Sequence, residues 1–494
     1  MNRQNLFKHL TLALALVFLA AFAGQLSRMR RTHFGMRRHA ALVVRQDAAA
    51  TAAAKEDAEV IVRFQPGTST AEINRIAARL NDRLEDRFEN IDDEAVIADA
   101  DGEDAEQVAA EYRALPEVIY AEPNFQINLD RAEGMPTRVL RAQPNAAIYA
   151  DPVVARGGDD DDDPPVVKGP APNDPLFEEQ WSLLNTGQRG GASGADICAT
   201  RAWAKTTGSD KVVVAVIDTG VDYRHADLAG NIWTRPADLA PYTDAELGTF
   251  DDLHGFDAAD ADGDPMDDNG HGTHCAGIIG AEGDNRDGIA GVNWHVQIMP
   301  LKFLNASGSG SLKDAIECIN YVIARKHDGV NVRVISASWG SMMGSRSLED
   351  AIRRAGEEGI LFFAAAGNSS TNNDRLPHYP SNYAQPNVVS VAALDRNDRL
   401  ARFSNYGART VHIAAPGAEI LSTWPGNQYE EHSGTSMATP EVAGVAALVL
   451  AANPNMSMKE LRERLLSSVD RLPALEGKVA SGGRLNAARA VGAK

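Results

Sequence analysis

The 494-residue chain carries three residues whose types and order could support nucleophilic hydrolysis: Asp218, His271 and Ser436. A serine hydroxyl becomes a useful nucleophile when a neighbouring imidazole removes its proton. The imidazole in turn needs a carboxylate that holds its tautomer and stabilises its charged form. The order Asp, His, Ser is one of three in which unrelated folds assemble such a group. We therefore expect hydrolysis through an acyl-enzyme on Ser436, with His271 as the general base.

The segments around these residues are more specific than the residue types alone. The aspartate stands in Val-Ile-Asp-Thr-Gly, the histidine begins His-Gly-Thr-His-Cys-Ala-Gly, and the serine stands in Gly-Thr-Ser-Met-Ala-Thr-Pro. In these motifs, residues 172–494 resemble the peptidase domain of the subtilases, the subtilisin-like serine proteases. The resemblance implies a secreted serine endopeptidase of broad specificity for proteins and peptides, made as a self-processing zymogen.

Asn368 is a fourth candidate, just after an apolar strand-like run that begins at Ile360. An asparagine side-chain amide can donate a hydrogen bond to the oxyanion that forms during acyl transfer. A Gly-Asn pair is also common in turns. The resemblance to subtilases favours the oxyanion role for Asn368.

The resemblance also implies where an extended substrate binds, as a strand between two segments of the peptidase. The residues of these segments are Gly308, Ser309 and Gly310 on one side and Ser338, Trp339 and Gly340 on the other. The floor of the primary specificity pocket is expected at residues 378–380. Many subtilases have glycine in place of His378, so the side-chain preference of this pocket is left open.

Three other interpretations are open. Asp-Thr-Gly alone suggests an aspartic peptidase, but that chemistry needs two carboxylates that share a proton, and the chain has one such motif. His271 and His274, beside Cys275, could hold zinc, although no His-Glu-x-x-His motif is present. We interpret His274 instead as a buried structural residue. An inactive binding protein of the same fold is the third alternative, although all four candidate positions hold competent residues.

Clustered acidic residues predict calcium binding. Four aspartates fall within eight residues: Asp257, Asp260, Asp262 and Asp264. Charges this close repel one another unless they are solvated or bridged by a cation, and oxygen ligands suit calcium. A solvated acidic loop is the alternative. The resemblance to subtilases implies a second structural calcium ion, held by Asp227 and Asn285 with carbonyls of the surrounding loop.

The N-terminus has the pattern of an export signal. Residues 1–23 carry Arg3 and Lys8 before an apolar run of about 14 residues that ends at Ala23, which predicts a signal peptide and secretion. An uncleaved membrane anchor is the alternative, but the run is shorter than the ~20 residues needed to span a bilayer.

Charge and cysteine content restrict the partners and the cross-links. The formal net charge of −20 argues against a nucleic-acid partner, which would require a basic face. Cys198, Cys275 and Cys318 allow at most one internal disulfide, and the sequence does not indicate which pair forms. We expect a monomer.

Residues 24–130 are interpreted as a propeptide, with a small α+β domain at about 56–130. Strand-like runs near its start and end enclose two segments of helical spacing. The domain resembles the inhibitory propeptide of subtilases. We therefore expect an intramolecular inhibitor whose last residues, near 121–130, lie along the two substrate segments. An unrelated binding domain is the alternative.

The remaining sequence predicts a linker followed by a parallel sheet. Residues 131–171 are rich in Pro, Gly and Asp and predict a linker. From Asn173 onward, short runs rich in Val, Ile and Ala alternate with helical patterns. Runs without polar alternation are typical of parallel strands that are covered on both faces. The predicted fold is therefore α/β: a doubly wound, largely parallel sheet with helices on both faces.

Overall fold

The computed structural model describes residues 58–130, 132, 137–140 and 169–493. These residues belong to one compact unit that begins at Ala58. The predicted signal peptide, the first part of the propeptide and most of the predicted linker lie outside the described residues.

The N-terminal domain is a four-stranded antiparallel sheet with two helices. Its elements are β1 (Glu59–Phe64), α1 (Thr70–Arg79), β2 (Asp82–Arg87), β3 (Glu94–Asp99), α2 (Ala105–Arg113) and β4 (Val118–Pro123). The strand order is β2-β3-β1-β4. Ser69 and Asp104 begin the helices, because each side chain accepts a hydrogen bond from an amide in the first turn. The sequence does not predict β2, because nearly all of its residues are charged.

The other elements follow in chain order. The strands are β5 (Gln126–Asn128), β6 (Arg138–Leu140), β7 (Gly208–Asp218), β8 (Tyr242–Asp244), β9 (Gly248–Phe250), β10 (Phe256–Asp257), β11 (His295–Lys302), β12 (Ser309–Ser311), β13 (Val332–Ala337), β14 (Leu361–Ala365), β15 (Val388–Leu394), β16 (Ile413–Pro416), β17 (Ile420–Trp424), β18 (Gln428–His432), β19 (Asp470–Arg471) and β20 (Gly483–Arg484). The helices are α3 (Ala199–Trp203), α4 (His271–Gly280), α5 (Leu312–His327), α6 (Arg346–Glu357), α7 (Thr435–Ala452), α8 (Met458–Ser467) and α9 (Ala487–Val491).

The central sheet has nine strands in the order β10-β11-β7-β13-β14-β15-β16-β20-β19. Every neighbouring pair is parallel except β19 with β20. In β7, Val212 and Val214 join one apolar cluster, which includes α7, and Val213 and Ala215 join a second, which includes α5 and α6. Successive side chains of a strand point to opposite faces, so both faces of the sheet are buried. The predicted α/β fold is confirmed.

Helix α7 is buried on all sides and begins earlier than the sequence indicates. Its first residue is Thr435, so Ser436 lies in the first turn, whereas the sequence predicts Ser436 just before a helix that begins at Ala438. Among the described residues, α7 alone is long and apolar enough to cross a membrane, and burial in the core explains that composition.

The predicted linker contains a strand. Residues Arg138–Leu140 form β6 and pair with β18, which already pairs with β17. Residues 138–140 are therefore part of a sheet, whereas the sequence predicts a linker at 131–171. The pairing could not be read from the local sequence, because the partner strand lies nearly 300 residues further along the chain.

Candidate active site

Asp218 and His271 meet at the C-terminal end of β7. Strand β7 ends at Asp218, and helix α4 begins at His271. Nδ1 of His271 lies 2.7 Å from Oδ1 of Asp218, which also accepts a hydrogen bond from the Thr219 amide at 2.8 Å. Asp218 is fully buried, while 17% of the His271 side chain is exposed. The carboxylate is thus positioned to fix the orientation of the imidazole ring.

The charge of Asp218 determines the acid–base behaviour of His271. Burial acts to lower the pKa of His271, but Asp218 and Cys275 together outweigh it and raise this pKa well above 6.5. Burial also raises the pKa of the Cys275 thiol above its ordinary 9.0, so Cys275 is uncharged at neutral pH. The Asp218 carboxylate is therefore the neighbouring charge that favours the protonated form of His271 at neutral pH.

His274 and Cys275 occupy different surroundings from His271. Nε2 of His274 contacts the carbonyls of Ile420 and Glu430 at 3.1 and 3.0 Å, so this ring faces the β17–β18 hairpin. The two histidines therefore do not share a metal site. Sγ of Cys275 lies 4.0 Å from Nδ1 of His271. Cys275 is a free thiol, and no disulfide joins any of the three cysteines.

Ser436 is held by a reciprocal pair of hydrogen bonds. Its hydroxyl donates to the carbonyl of Ser338, and the Ser338 hydroxyl donates to the carbonyl of Ser436, both at 2.9 Å. The Ser436 carbonyl is available because Pro440, four residues later in the helix, has no amide to donate to it. Proton transfer from Ser436 to His271 therefore requires the Ser436 hydroxyl to rotate away from Ser338.

Asn368 follows β14 and is oriented by Thr435. Its Oδ1 accepts hydrogen bonds from the amide and the hydroxyl of Thr435 at 2.8 and 3.0 Å. Its Nδ2 donates to the main-chain carbonyl of Asp130. Asn368 thus presents a fixed donor to a peptide carbonyl. Sequence analysis missed Thr435 as the orienting residue, although its position beside Ser436 in the motif is a signal.

The segment after the N-terminal domain enters the cleft as a strand. Strand β5 pairs antiparallel with β12, with Ile127 opposite Gly310. The amide of Leu129 donates to the carbonyl of Gly308 at 2.9 Å. Asp130 then reaches Asn368. The first predicted substrate segment, residues 308–310, therefore holds an extended peptide of the chain itself.

The second predicted segment, Ser338 to Gly340, makes other contacts. Ser338 bonds to Ser436, and the indole Nε1 of Trp339 donates to the carbonyl of Ile217 at 2.8 Å. Within the described residues, no backbone hydrogen bond joins residues 338–340 to the segment that ends at Asp130. Residues 338–340 therefore lie beside the cleft, but they do not form the expected main-chain hydrogen bonds with the extended peptide.

Prodomain side chains also occupy two helix N-termini. Glu122 accepts hydrogen bonds from the amides of Arg346 and Ser347, both at 3.1 Å, at the start of α6. Asn124 accepts one from the amide of Lys313 at 2.9 Å, at the start of α5. First-turn amides lack partners within their own helix, and a carboxylate is favoured there. These contacts fix the direction from which β5 enters the cleft.

Asp227 and Asn285, one predicted pair of calcium ligands, do lie together. Nδ2 of Asn285 donates to Oδ1 of Asp227 at 2.8 Å. Burial raises the pKa of Asp227 to about 8 and that of neighbouring Asp174 to about 7. Oδ1 of Asp174 is buried without a hydrogen-bond partner among the described residues. Two buried carboxylates are ligands of the kind that calcium prefers. In this structure the Asn285 side chain turns its nitrogen toward Asp227, and its Oδ1 accepts a hydrogen bond from the Asp287 amide at 2.7 Å. Sequence analysis missed Asp174.

The other predicted calcium cluster has a local role. Oδ1 of Asp257 accepts hydrogen bonds from the amides of Ala259 and Asp260, and Oδ1 of Asp262 accepts one from the amide of Asp264. Such bonds close turns. The described residues include two groups of three possible metal ligands within 4.8 Å of one another, and neither contains these aspartates. Burial also raises the pKa of Asp257 to about 7, and calcium at Asp257, Asp260 and Asp262 stays a prediction.

Comparison with known proteins agrees with this geometry. The model of the subtilase family matches residues 209–492, and that of the fervidolysin N-terminal prodomain matches residues 45–124. A thermophilic serine proteinase from Bacillus sp. (strain AK1) is 38% identical over 317 residues, which cover 64% of this chain and 71% of that protein. Thermitase from Thermoactinomyces vulgaris is 36% identical over 320 residues, which cover 65% of this chain and 99% of thermitase.

A third relative comes from Plasmodium falciparum (isolate 3D7). Subtilisin-like protease 1 of Plasmodium falciparum (isolate 3D7) is 36% identical over 299 residues, which cover 56% of this chain and 43% of that protein. The subtilase match spans more than half of the present chain and contains Asp218, His271 and Ser436. The protein therefore belongs to the subtilase family and is a serine endopeptidase with an N-terminal prodomain.

Proposed function

We propose that Ser436 is the nucleophile, His271 the general base and Asp218 the carboxylate that orients His271 and stabilises its charge. Asn368 Nδ2 and the Ser436 amide would donate to the oxyanion. The observation that carries this proposal is the 2.7 Å contact between His271 and a fully buried Asp218. The hydrogen bond from Asn368 to a peptide carbonyl supports the oxyanion role.

The prodomain is proposed to act as an intramolecular inhibitor of a secreted enzyme. Strand β5 lies against β12 as a substrate strand would, which supports this role. Pairing through the main chain accepts substrates of varied sequence, so proteins and peptides in general are the expected substrates. We propose export through the signal peptide at residues 1–23, and a monomeric mature enzyme.

Replacing Ser436 tests the proposed nucleophile. The full-length Ser436→Ala chain should fold but accumulate as the signal-free precursor in a protease-deficient host, because the first cleavage needs the hydroxyl of Ser436. The wild type should yield a product that begins between about residues 131 and 175, as read by N-terminal sequencing. A serine-directed covalent inhibitor, with calcium present, should abolish activity and add its mass to Ser436. Normal processing of Ser436→Ala, or activity that survives complete labelling, would contradict the proposal.

We also propose a structural calcium ion at Asp227, Asn285 and Asp174. The ion would neutralise two buried carboxylates that otherwise take up protons, as their raised pKa values indicate. Asp227→Asn should remove one charged ligand, so added calcium should raise the thermal midpoint of unfolding less than in the wild type. The matched control is Asp210→Asn, which neutralises an exposed aspartate outside both predicted calcium sites. Equal calcium stabilisation of wild type and Asp227→Asn would contradict this site.

A further inference from the structure

The strand from the prodomain ends with an acidic side chain in the primary specificity pocket. Oδ2 of Asp130 accepts a hydrogen bond from the main-chain amide of Asn368 at 2.6 Å, and it lies 3.7 Å from Nε2 of His378. Among the described residues, His378 alone brings a basic nitrogen within 4.0 Å of this carboxylate. The main-chain carbonyl of Asp130 meets Nδ2 of Asn368. Asp130 is therefore arranged like the residue that precedes a scissile bond.

Two glycines make room for the imidazole at the floor of this pocket. A Cβ atom on Gly340 would lie 2.3 Å from Cε1 of His378, and a Cβ atom on Gly367 would lie 3.0 Å from Cδ2. His378 is buried, and its Nδ1 has no hydrogen-bond partner within the described residues. The ring thus fills space that a glycine at position 378 would leave open to an entering side chain. It also offers a nitrogen to a carboxylate.

We infer that the peptidase prefers an acidic residue immediately before the bond it cuts, that His378 selects this residue, and that the first self-cleavage falls between Asp130 and Arg131. The inference rests on the proposed function. The inference replaces broad specificity with an acidic preference at one pocket. Substrate residues that pair with β12 through the main chain can still vary in sequence.

The self-cleavage is an acyl transfer in which water is the only additional reactant. Ser436 Oγ adds to the Asp130 carbonyl carbon, and its proton passes to His271. The bond between Asp130 and the Arg131 nitrogen breaks, and the imidazolium gives its proton to the departing amine. Water then adds to the ester, the bond to Ser436 breaks, and the serine regains a proton. The products are a carboxylic acid at Asp130 and an amine at Arg131.

Paired peptide substrates test the preference. The substrates differ only in the residue before the cut: Asp against Asn, Glu against Gln, and Phe. The wild type should cleave the Asp peptide roughly tenfold faster in kcat/KM than the Asn peptide, because a shift of about 1 Å would bring Nε2 of His378 from 3.7 Å to hydrogen-bond distance of the carboxylate, and a charged acceptor strengthens such a bond. His378→Gly should lose this ratio and gain activity on the Phe peptide, because the pocket becomes deeper. His295→Gln, which changes an exposed histidine, is the matched control and should retain the wild-type ratio.

The outcomes separate this inference from the proposed function. If no peptide is cleaved and the inhibitor does not label Ser436, the proposed function fails. If peptides are cleaved and Ser436 is labelled, but Asp and Asn peptides are cleaved equally, the preference is overturned and the proposed function stands. A ratio unchanged in His378→Gly would overturn the assignment to His378.

The precursor provides a second test that does not depend on model peptides. Intact mass should show that the released prodomain ends at Asp130. Full-length Asp130→Asn should process roughly tenfold more slowly than wild type, for the reason given for the peptides. In a His378→Gly background, precursors with and without the Asp130→Asn substitution should process at equal rates. A prodomain that ends at another residue, or equal rates in the wild-type background, would overturn the proposed cleavage site.

Discussion

The proposed catalytic residues and the surface that contacts the prodomain are held in place by different interactions. Asp218, His271 and Asn368 are each fixed by neighbours within the peptidase, such as the Thr219 amide and Thr435. The contact surface instead combines an apolar cluster of both domains, which includes Phe88 and Ile91, with charged side chains from both domains. The first arrangement can persist after the prodomain leaves. The second is stable only while the prodomain is bound.

Carboxylates make up an unusual part of the contact surface. Asp86 of the prodomain and Asp244 and Glu246 of the peptidase bring ligand oxygens within 4.8 Å of one another. Burial raises the pKa of Asp86 to about 7 and that of Asp244 to about 6, and the nearby carboxylates add to the effect. Ion pairs surround this group, including Lys313 with Glu85 at 2.9 Å. The comparison therefore separates residues that neighbours within the peptidase hold in place from an attachment whose strength depends on pH.

The largest expected effect comes from removing one donor of the catalytic scaffold. Asn368→Ala should lower kcat about 10²- to 10³-fold with KM nearly unchanged, because its amide acts on charge that develops in the transition state. This magnitude is carried over from the equivalent change in subtilisin. Steady-state kinetics on a fixed peptide would measure it, with exposed Asn455→Ala as the control. A variant with full kcat would remove Asn368 from the site.

The next effect concerns the base. His271 must be neutral to accept a proton, and Asp218 raises its pKa well above 6.5. The imidazolium therefore persists to a higher pH than for an ordinary histidine. The kcat/KM of the mature enzyme should fall about tenfold per pH unit on the acid side, with a midpoint above 6.5. A profile that is flat from pH 5 to 9, or a midpoint below 6.5, would count against the assignment.

The smallest effect concerns attachment of the prodomain. The pKa values of Asp86 and Asp244 in the complex are raised from 3.8, so the bound state holds protons that the separated domains release. Binding should be tightest below about pH 4, weaken as the pH rises to about 7, and then level off. The inhibition constant of a prodomain fragment against the mature enzyme, measured across this range, would show the trend.

Neutral replacements provide the control for this trend. The double variant Asp86→Asn in the fragment and Asp244→Asn in the enzyme should show a flatter dependence, because neither amide titrates. Exposed Asp101→Asn in the fragment should leave the dependence unchanged. Inhibition that strengthens from pH 4 to pH 7 would contradict the role of these carboxylates.

Sequence patterns predict the parts of this molecule whose signal is local. The apolar run before Asp218 indicates a strand buried on both faces, and its valines do alternate between two cores. The motif around His271 places it correctly at the start of α4. Pro440 is a case in which the local rule misleads. The rule favours proline in a first turn, but Pro440 lies further into the helix and leaves the Ser436 carbonyl free for Ser338.

Features that depend on distant contacts escape the sequence. The resemblance places residues near 121–130 along the substrate segments, but the contact of Asp130 with Asn368, across 238 positions, cannot be read from the local sequence around either residue. Strand β2 is missed because pairing with β3 stabilises residues that lack an apolar pattern. Calcium at the aspartates of residues 257–264 stays a prediction, because hydrogen bonds from neighbouring amides engage one oxygen each of Asp257 and Asp262 and leave their other oxygens open.

Strand β6 affects whether the proposed first cleavage can be reversed. Residues 138–140 are paired with β18 through contacts that do not involve the bond after Asp130. The amine formed by cleavage there is therefore tethered near the acyl-enzyme, at an effective concentration far above that of a diffusing peptide. A tethered amine competes with water and can reseal the chain. Departure of the prodomain, more than bond breaking itself, would then make activation irreversible.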